Sequence, residues 1–321
     1  MRQPLLTLAA IAMFVAPIAS PADGLPPVTA DVTNGTVSVP LSDPATLHLL
    51  PPLPAGHTVS VRLALVDKVV EISPGIKYRA WTFNGAVPGP VIHARVGDTI
   101  DVTLTNEASM GHSIDFHAAL APPNVAYQTI APGKTLHFSW VASAPGAFLY
   151  HCGTPPVLAH ISNGMYGAIV VDPEQGWGAD AQSFVFVQSE FYPQRVEGTD
   201  EYSGDMSKMQ SGIAQVVDFN GRAYQYMTKP LAITVGKPVR LFVVNAGPSH
   251  FSAFHVVGTL LHRSYVDGNP ANLLVDLQTL AIPPGGGGVT EFTVLQPGRY
   301  PFVTHAFGDA DAGAIGIFNA I

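Results

Sequence analysis

Short runs rich in β-branched and aromatic residues, separated by Gly, Pro or Asn turns, recur along this chain and predict strands. In the first half they cover 58–72, 78–84, 91–106, 135–143, 147–152 and 167–171. The pattern lapses over 172–181, DPEQGWGADA. It then resumes at 183–192, 216–226, 231–245, 264–266, 289–295, 300–304 and 313–318.

The two halves read as copies. VGDTIDVTLTN in the first answers VGKPVRLFVVN in the second, PGKTLHFSWVASAPG answers PPGGGGVTEFTVLQPG, and each half closes on Gly-Ala-Ile, at Gly167 and Gly313. Repeats of this size, built from short strands, predict an all-β protein of two tandem Greek-key β-sandwiches. The expected organisation is a leader at 1–22, an extended Pro- and Ala-rich arm at 23–56, a first domain at 57–172, a linker at 173–182 and a second domain at 183–321.

Composition narrows the possibilities. Hydrophobic residues make up 47% of the 321 and charged ones 12%, while 31 Gly and 29 Pro favour turns over long charged helices. A formal charge of -8 with no basic run argues against nucleic acid or an anionic membrane as partner. The first residues carry Arg2, an apolar run over 5–18 and small residues around Ala19 to Ala22, the pattern of a secretory signal peptide. That run is too short to span a bilayer and no cysteine is near it to take a lipid, so a periplasmic or secreted protein without a membrane anchor is expected. A single cysteine excludes a disulfide framework and any multi-cysteine zinc or iron–sulfur site. Metal ligation would protect such a lone thiol in an oxidising compartment.

Five of the 12 histidines fall between His112 and His160. Cys152, His160 and Met165 are spaced Cys-x7-His-x4-Met on an expected loop between strands, with His112 at the end of an earlier strand. One thiolate, two imidazoles and a thioether form the ligand set of a type 1 copper centre, since soft sulfur donors select copper over harder divalent ions. Taken singly, each residue also reads as an ordinary core or strand-end residue.

A second set interleaves with the first. His151 and Cys152 are adjacent, so on a strand their side chains point to opposite sides and can face two different metals. The pair would then link two copper sites over a distance on the order of 12 Å. His117 and His151 supply two nitrogens, whereas a catalytic metal takes about three protein ligands and an open position. A further ligand is expected from the other half.

From WTFNGAVPGP through IDFHA, YHCGTPP, HISNGMYGAI and FHVVG to FVTHAFGDADAGAIG, the chain resembles the copper-containing nitrite reductases. The resemblance covers nearly all of the expected mature chain. It implies two cupredoxin-like domains, reduction of nitrite to nitric oxide, and one type 1 and one type 2 copper per subunit. By this resemblance His112, Cys152, His160 and Met165 would hold the type 1 copper. His117, His151 and His305 would hold the type 2 copper, His305 reaching it from a neighbouring subunit of a homotrimer. Asp115 and His255 would handle protons over the bound nitrite. A small redox protein, a cupredoxin or a cytochrome c, would dock near the type 1 site as electron donor.

Three features depart from the family pattern. Val257 stands where Ile is common, the stretch after His305 is one residue shorter, and a glycine run occupies 285–288. They bear on the pocket above the metal rather than on its ligands. Two other readings compete. A laccase-like oxidase needs a trinuclear cluster built largely from His-x-His pairs, and this chain contains none. A type 1 electron carrier would leave Asp115, His117, His151, His255 and His305 as structural residues. His48, His57, His93, His137, His250 and His262 are read as surface or strand-edge residues, and Trp81 as a core residue packed on the adjacent turn.

Overall fold

The computed structural model describes residues 24–321, so the expected signal segment at 1–22 lies outside the described residues. Strands dominate, arranged in four sheets. In Thr58–Ser73, buried Val59, Val61, Leu63 and Leu65 alternate with exposed Thr58, Ser60 and Arg62, as a strand covering a core on one face requires.

The first half supplies a four-stranded sheet and five strands of a seven-stranded one, whose edge is completed by two strands from the stretch expected in the second domain. The larger runs in the order Ala30–Asn34, Lys134–Val141, Thr99–Asn106, Thr58–Ser73, Ile76–Phe83, Glu201–Gly204 and Pro193–Arg195. The smaller runs Ile92–Arg95, Tyr166–Asp172, Gly146–His151 and Asp115–Phe116. In the second half the six-stranded sheet is built on Gln182–Phe191, Val239–Gly247 and Gly287–Phe292, and the five-stranded one on Ile315–Ala320, Gly298–Thr304 and Ser252–Val256. Each pair of sheets encloses its own apolar core, one around Leu104, Phe116 and Trp140, the other around Phe186, Phe254 and Phe302.

Two of the expected long strands are broken. The 91–106 run turns at Gly97, whose φ is +91°, and buried Asp98 accepts the Arg95 amide there at 3.0 Å. The 231–245 run turns at the matching Gly236, φ +77°. The arm is not merely extended, because Ala30–Asn34 adds an antiparallel edge strand to Lys134–Val141. Its side chains are mostly exposed, so no apolar alternation marked it.

The repeat is explicit in the hydrogen bonds. Asn106 donates Nδ2–H to the carbonyls of Met110 and Ile130 at 2.9 and 2.8 Å, and Asn245 does the same to His250 and Ile282 at 2.8 and 3.0 Å. His112 bridges Ile130 as Ser252 pairs with Ile282. Three residues further on, Asp115 and His255 therefore occupy equivalent positions in the two halves. A third apolar cluster joins them, with Leu149, Tyr166 and Val170 against Val187, Phe242 and Val289. Gly287 lets the backbones meet there, since a Cβ on it would lie 1.9 Å from the Ala147 carbonyl oxygen.

Candidate metal centres

Cys152 directly follows the strand Gly146–His151, and its amide donates to the Met165 carbonyl at 3.1 Å. The intervening segment is not all loop. A short helix, Val157–Ser162, carries His160, and Met165 donates its amide back to the His160 carbonyl at 3.2 Å. The turn after this helix is tied to the strand Ile76–Phe83: Tyr78 donates to Asn163 Oδ1 at 2.8 Å and the Trp81 amide to the Asn163 carbonyl at 2.9 Å.

These supports bring three donor atoms together. His160 Nδ1 lies 3.2 Å from Cys152 Sγ and 3.1 Å from His112 Nδ1, with His112 Nδ1 3.9 Å from the sulfur. All three residues are buried, and Met165 beside them is fully buried. Burial pushes both imidazoles down to about 4, His112 further disfavoured by the nearby His160, so both are neutral and able to ligate at neutral pH. The Ser113 amide donates to the sulfur at 3.3 Å. Two neutral imidazoles and a sulfur donor, converging in a buried cluster, fit a soft metal such as copper.

The second cluster is built from the neighbouring residue. His151 donates Nδ1–H to the Cys152 carbonyl at 3.0 Å, and His117 donates Nδ1–H to the Gly285 carbonyl of the second half at 2.9 Å. Where both rings are neutral, each bond leaves an Nε2 lone pair, and the two Nε2 atoms face each other at 3.0 Å. The pair is placed to share one cation between them. Burial lowers the pKa of His151, partly opposed by its bond to the Cys152 carbonyl. Asp115 Oδ2 stands 3.9 Å from His151 Nε2, while the His117 side opens to solvent. Gly285 is held at φ +80°, and a Cβ there would approach His117 Cε1 at 3.2 Å.

His255 and His305 sit together on the second half, their ring centroids 5.5 Å apart. His255 donates Nδ1–H to the Gln278 carbonyl at 2.6 Å, which turns its Nε2 outward, and exposed Phe307 packs on the His305 ring at 4.7 Å. Among the described residues no donor cluster joins them to His117 and His151. The Gly285 and Gln278 carbonyls and the Phe307 contact escape sequence reasoning. Only the unusual glycine run pointed toward that loop.

Residues 66–176 match the family model for multicopper oxidases. The copper-containing nitrite reductase of Neisseria gonorrhoeae is 38% identical over 264 residues, 80% of this chain and 67% of the relative. That of Alcaligenes faecalis is 30% identical over 310 residues, 88% of this chain and 81% of the relative. The chain belongs to the copper-containing nitrite reductase family. A solved copper nitrite reductase from Nitrosomonas europaea superposes with a TM-score of 0.76 at 34% identity, over 82% of this chain and 94% of that one. The two-domain cupredoxin fold of this copper-containing nitrite reductase follows, and both donor clusters fit the metal in the family's name.

Several histidines read as idle surface or strand-edge residues are engaged: His93 is buried and donates Nδ1–H to the Pro51 carbonyl at 2.6 Å, His57 meets buried Asp98 at 3.0 Å, and His250 is held at both ring nitrogens. His250 donates Nδ1–H to Asp309 at 2.8 Å and Nε2–H to the Gly212 carbonyl at 2.7 Å, while its amide donates to Glu190 at 2.6 Å. A ring donating from both nitrogens is protonated, and the bond to Asp309 is the largest cause raising its pKa to about 9. Because that value lies above the ordinary 6.5, the stabilisation is complete below pH 6.5 and is lost as pH rises through about 9. His250→Gln is expected to lower Tm by about 2 °C at pH 6 and by nothing measurable at pH 10. A deficit that widens with pH in calorimetry would contradict the assignment.

Proposed function

We propose that this chain reduces nitrite to nitric oxide, NO2⁻ + e⁻ + 2H⁺ → NO + H2O, with a type 1 copper held by His112, Cys152, His160 and Met165 and a type 2 copper held by His117, His151 and His305. The observation that carries the reading is the adjacency of His151 and Cys152, one peptide bond apart yet belonging to two separate donor clusters. Copper supplies one-electron redox chemistry and a Lewis-acidic position for the anion when bound.

The chain's own groups do the rest. Cys152 and His151 form the covalent link between the clusters, stiffened by the bond from His151 Nδ1–H to the Cys152 carbonyl. The Gly285 carbonyl holds His117 in the tautomer that presents Nε2. Asp115, half-exposed on the open side of His151, holds a proton for an oxygen of nitrite. His255, its Nδ1–H engaged by the Gln278 carbonyl, delivers the second from Nε2–H as an imidazolium.

His305 completes the type 2 ligand set from the second domain of a neighbouring subunit, most simply in a closed trimer of head-to-tail contacts. Support comes from the face it occupies, where Phe307 is 55% and Val257 43% exposed. A small cupredoxin or cytochrome c delivers electrons near the type 1 site. The protein works in the periplasm or outside the cell.

Anaerobic turnover of nitrite with a reduced dye is expected to release one nitric oxide per nitrite. Formation of ammonia or dinitrogen gas instead would refute the reaction. Sedimentation is expected to show a trimer, and a monomer carrying full type 2 copper would exclude the shared ligand set.

A further inference from the structure

Trp81 has a place that the mechanism above does not use. Its ring centroid lies 4.9 Å from that of His160 and 5.7 Å from that of His112, inclined 53° and 57° to the two planes. One indole thus covers both imidazoles of the Cys152 cluster. The contact is held from below, because the Trp81 amide donates to the Asn163 carbonyl, midway between His160 and Met165. On its outer side the half-buried indole borders a cavity of about 450 Å³ whose other walls include Asp67, Lys68, Arg79, Ser109 and Glu201. Trp81 therefore stands between a polar surface recess and the two imidazoles.

We propose that Trp81 is the positioning residue of the type 1 centre: it holds the two imidazole planes and keeps water of the Asp67–Glu201 recess from the metal. The proposal rests on the type 1 reading given above. Its physical content is a redox one. A thiolate-bound Cu(II) site carries one more positive charge than the Cu(I) site, so a dry, apolar cover favours the reduced form and raises the potential. Removing the cover admits water and favours the oxidised form. The ring contacts also restrain the imidazoles, which keeps the two oxidation states in one geometry.

The test compares wild-type protein, Trp81→Phe and Trp81→Ala, each fully loaded with copper. Redox titration of the thiolate charge-transfer band is expected to shift at least tenfold toward Cu(II) in Trp81→Ala, about 59 mV for one electron. Trp81→Phe, which keeps an aromatic cover, is expected to lie within threefold of wild type. Azide should perturb the type 1 absorption and paramagnetic resonance signals in Trp81→Ala alone. If Trp81→Ala does not fold, Trp81→Ser and Trp81→Leu replace it, the first expected to show the shift and the second to restore exclusion of azide. A blue wild type whose small-residue variant keeps both potential and azide resistance overturns the role of Trp81. A wild type that loads copper with no charge-transfer band overturns the type 1 reading instead.

Discussion

Cys152→Ala is expected to yield a folded protein without visible charge-transfer absorption, whose turnover falls by more than ~100-fold with any donor. The size follows from what one sulfur does. It is the only thiolate the chain can offer, it lies 3.2 Å from His160 Nδ1, and its residue is bonded through one peptide to His151. Replacing a ligand costs more than replacing a residue that merely orients one. Folding should survive, because the substitution removes a single buried atom while the Cys152 amide keeps its bond to the Met165 carbonyl. Copper analysis should still find the metal bound by His117 and His151. A variant that stays blue and turns over normally with a chemical donor would remove Cys152 from the site.

Asp115→Asn is the second large effect. The carboxylate lies 3.9 Å from His151 Nε2 and faces the solvent-open side of that cluster. Asn keeps the shape and hydrogen bonding but cannot carry a transferable proton. Turnover is expected to fall by roughly two to four decades, with both coppers and the type 1 spectrum intact. Retention of wild-type rate at full copper occupancy would reduce Asp115 to a support for His151.

Much of the fold was legible because its signals are local. Val59, Val61, Leu63 and Leu65 declare one buried face, and the matched VGD and VGK turns declare the repeat. The same locality made Cys152, His160 and Met165 readable as a set, since their spacing lies within one segment. The helix Val157–Ser162 stayed hidden because six residues are too few to display a period. Trp81 was read as a core residue and does pack on the core, but its ring partners, like the engagement of His250, went unseen for a different reason. Their partners, His112 and His160 for one and Asp309 for the other, are distant in sequence, and nothing local marks such meetings. Gly285 acts through a carbonyl that every residue possesses, so no residue type could announce it.

The equivalence of Asp115 and His255 bears on how such a site could arise. Before duplication, one ancestral domain would have carried a single residue at that position. The asparagine brackets at Asn106 and Asn245 are alike while the matched positions differ, so one frame carries a carboxylate in one half and an imidazole in the other.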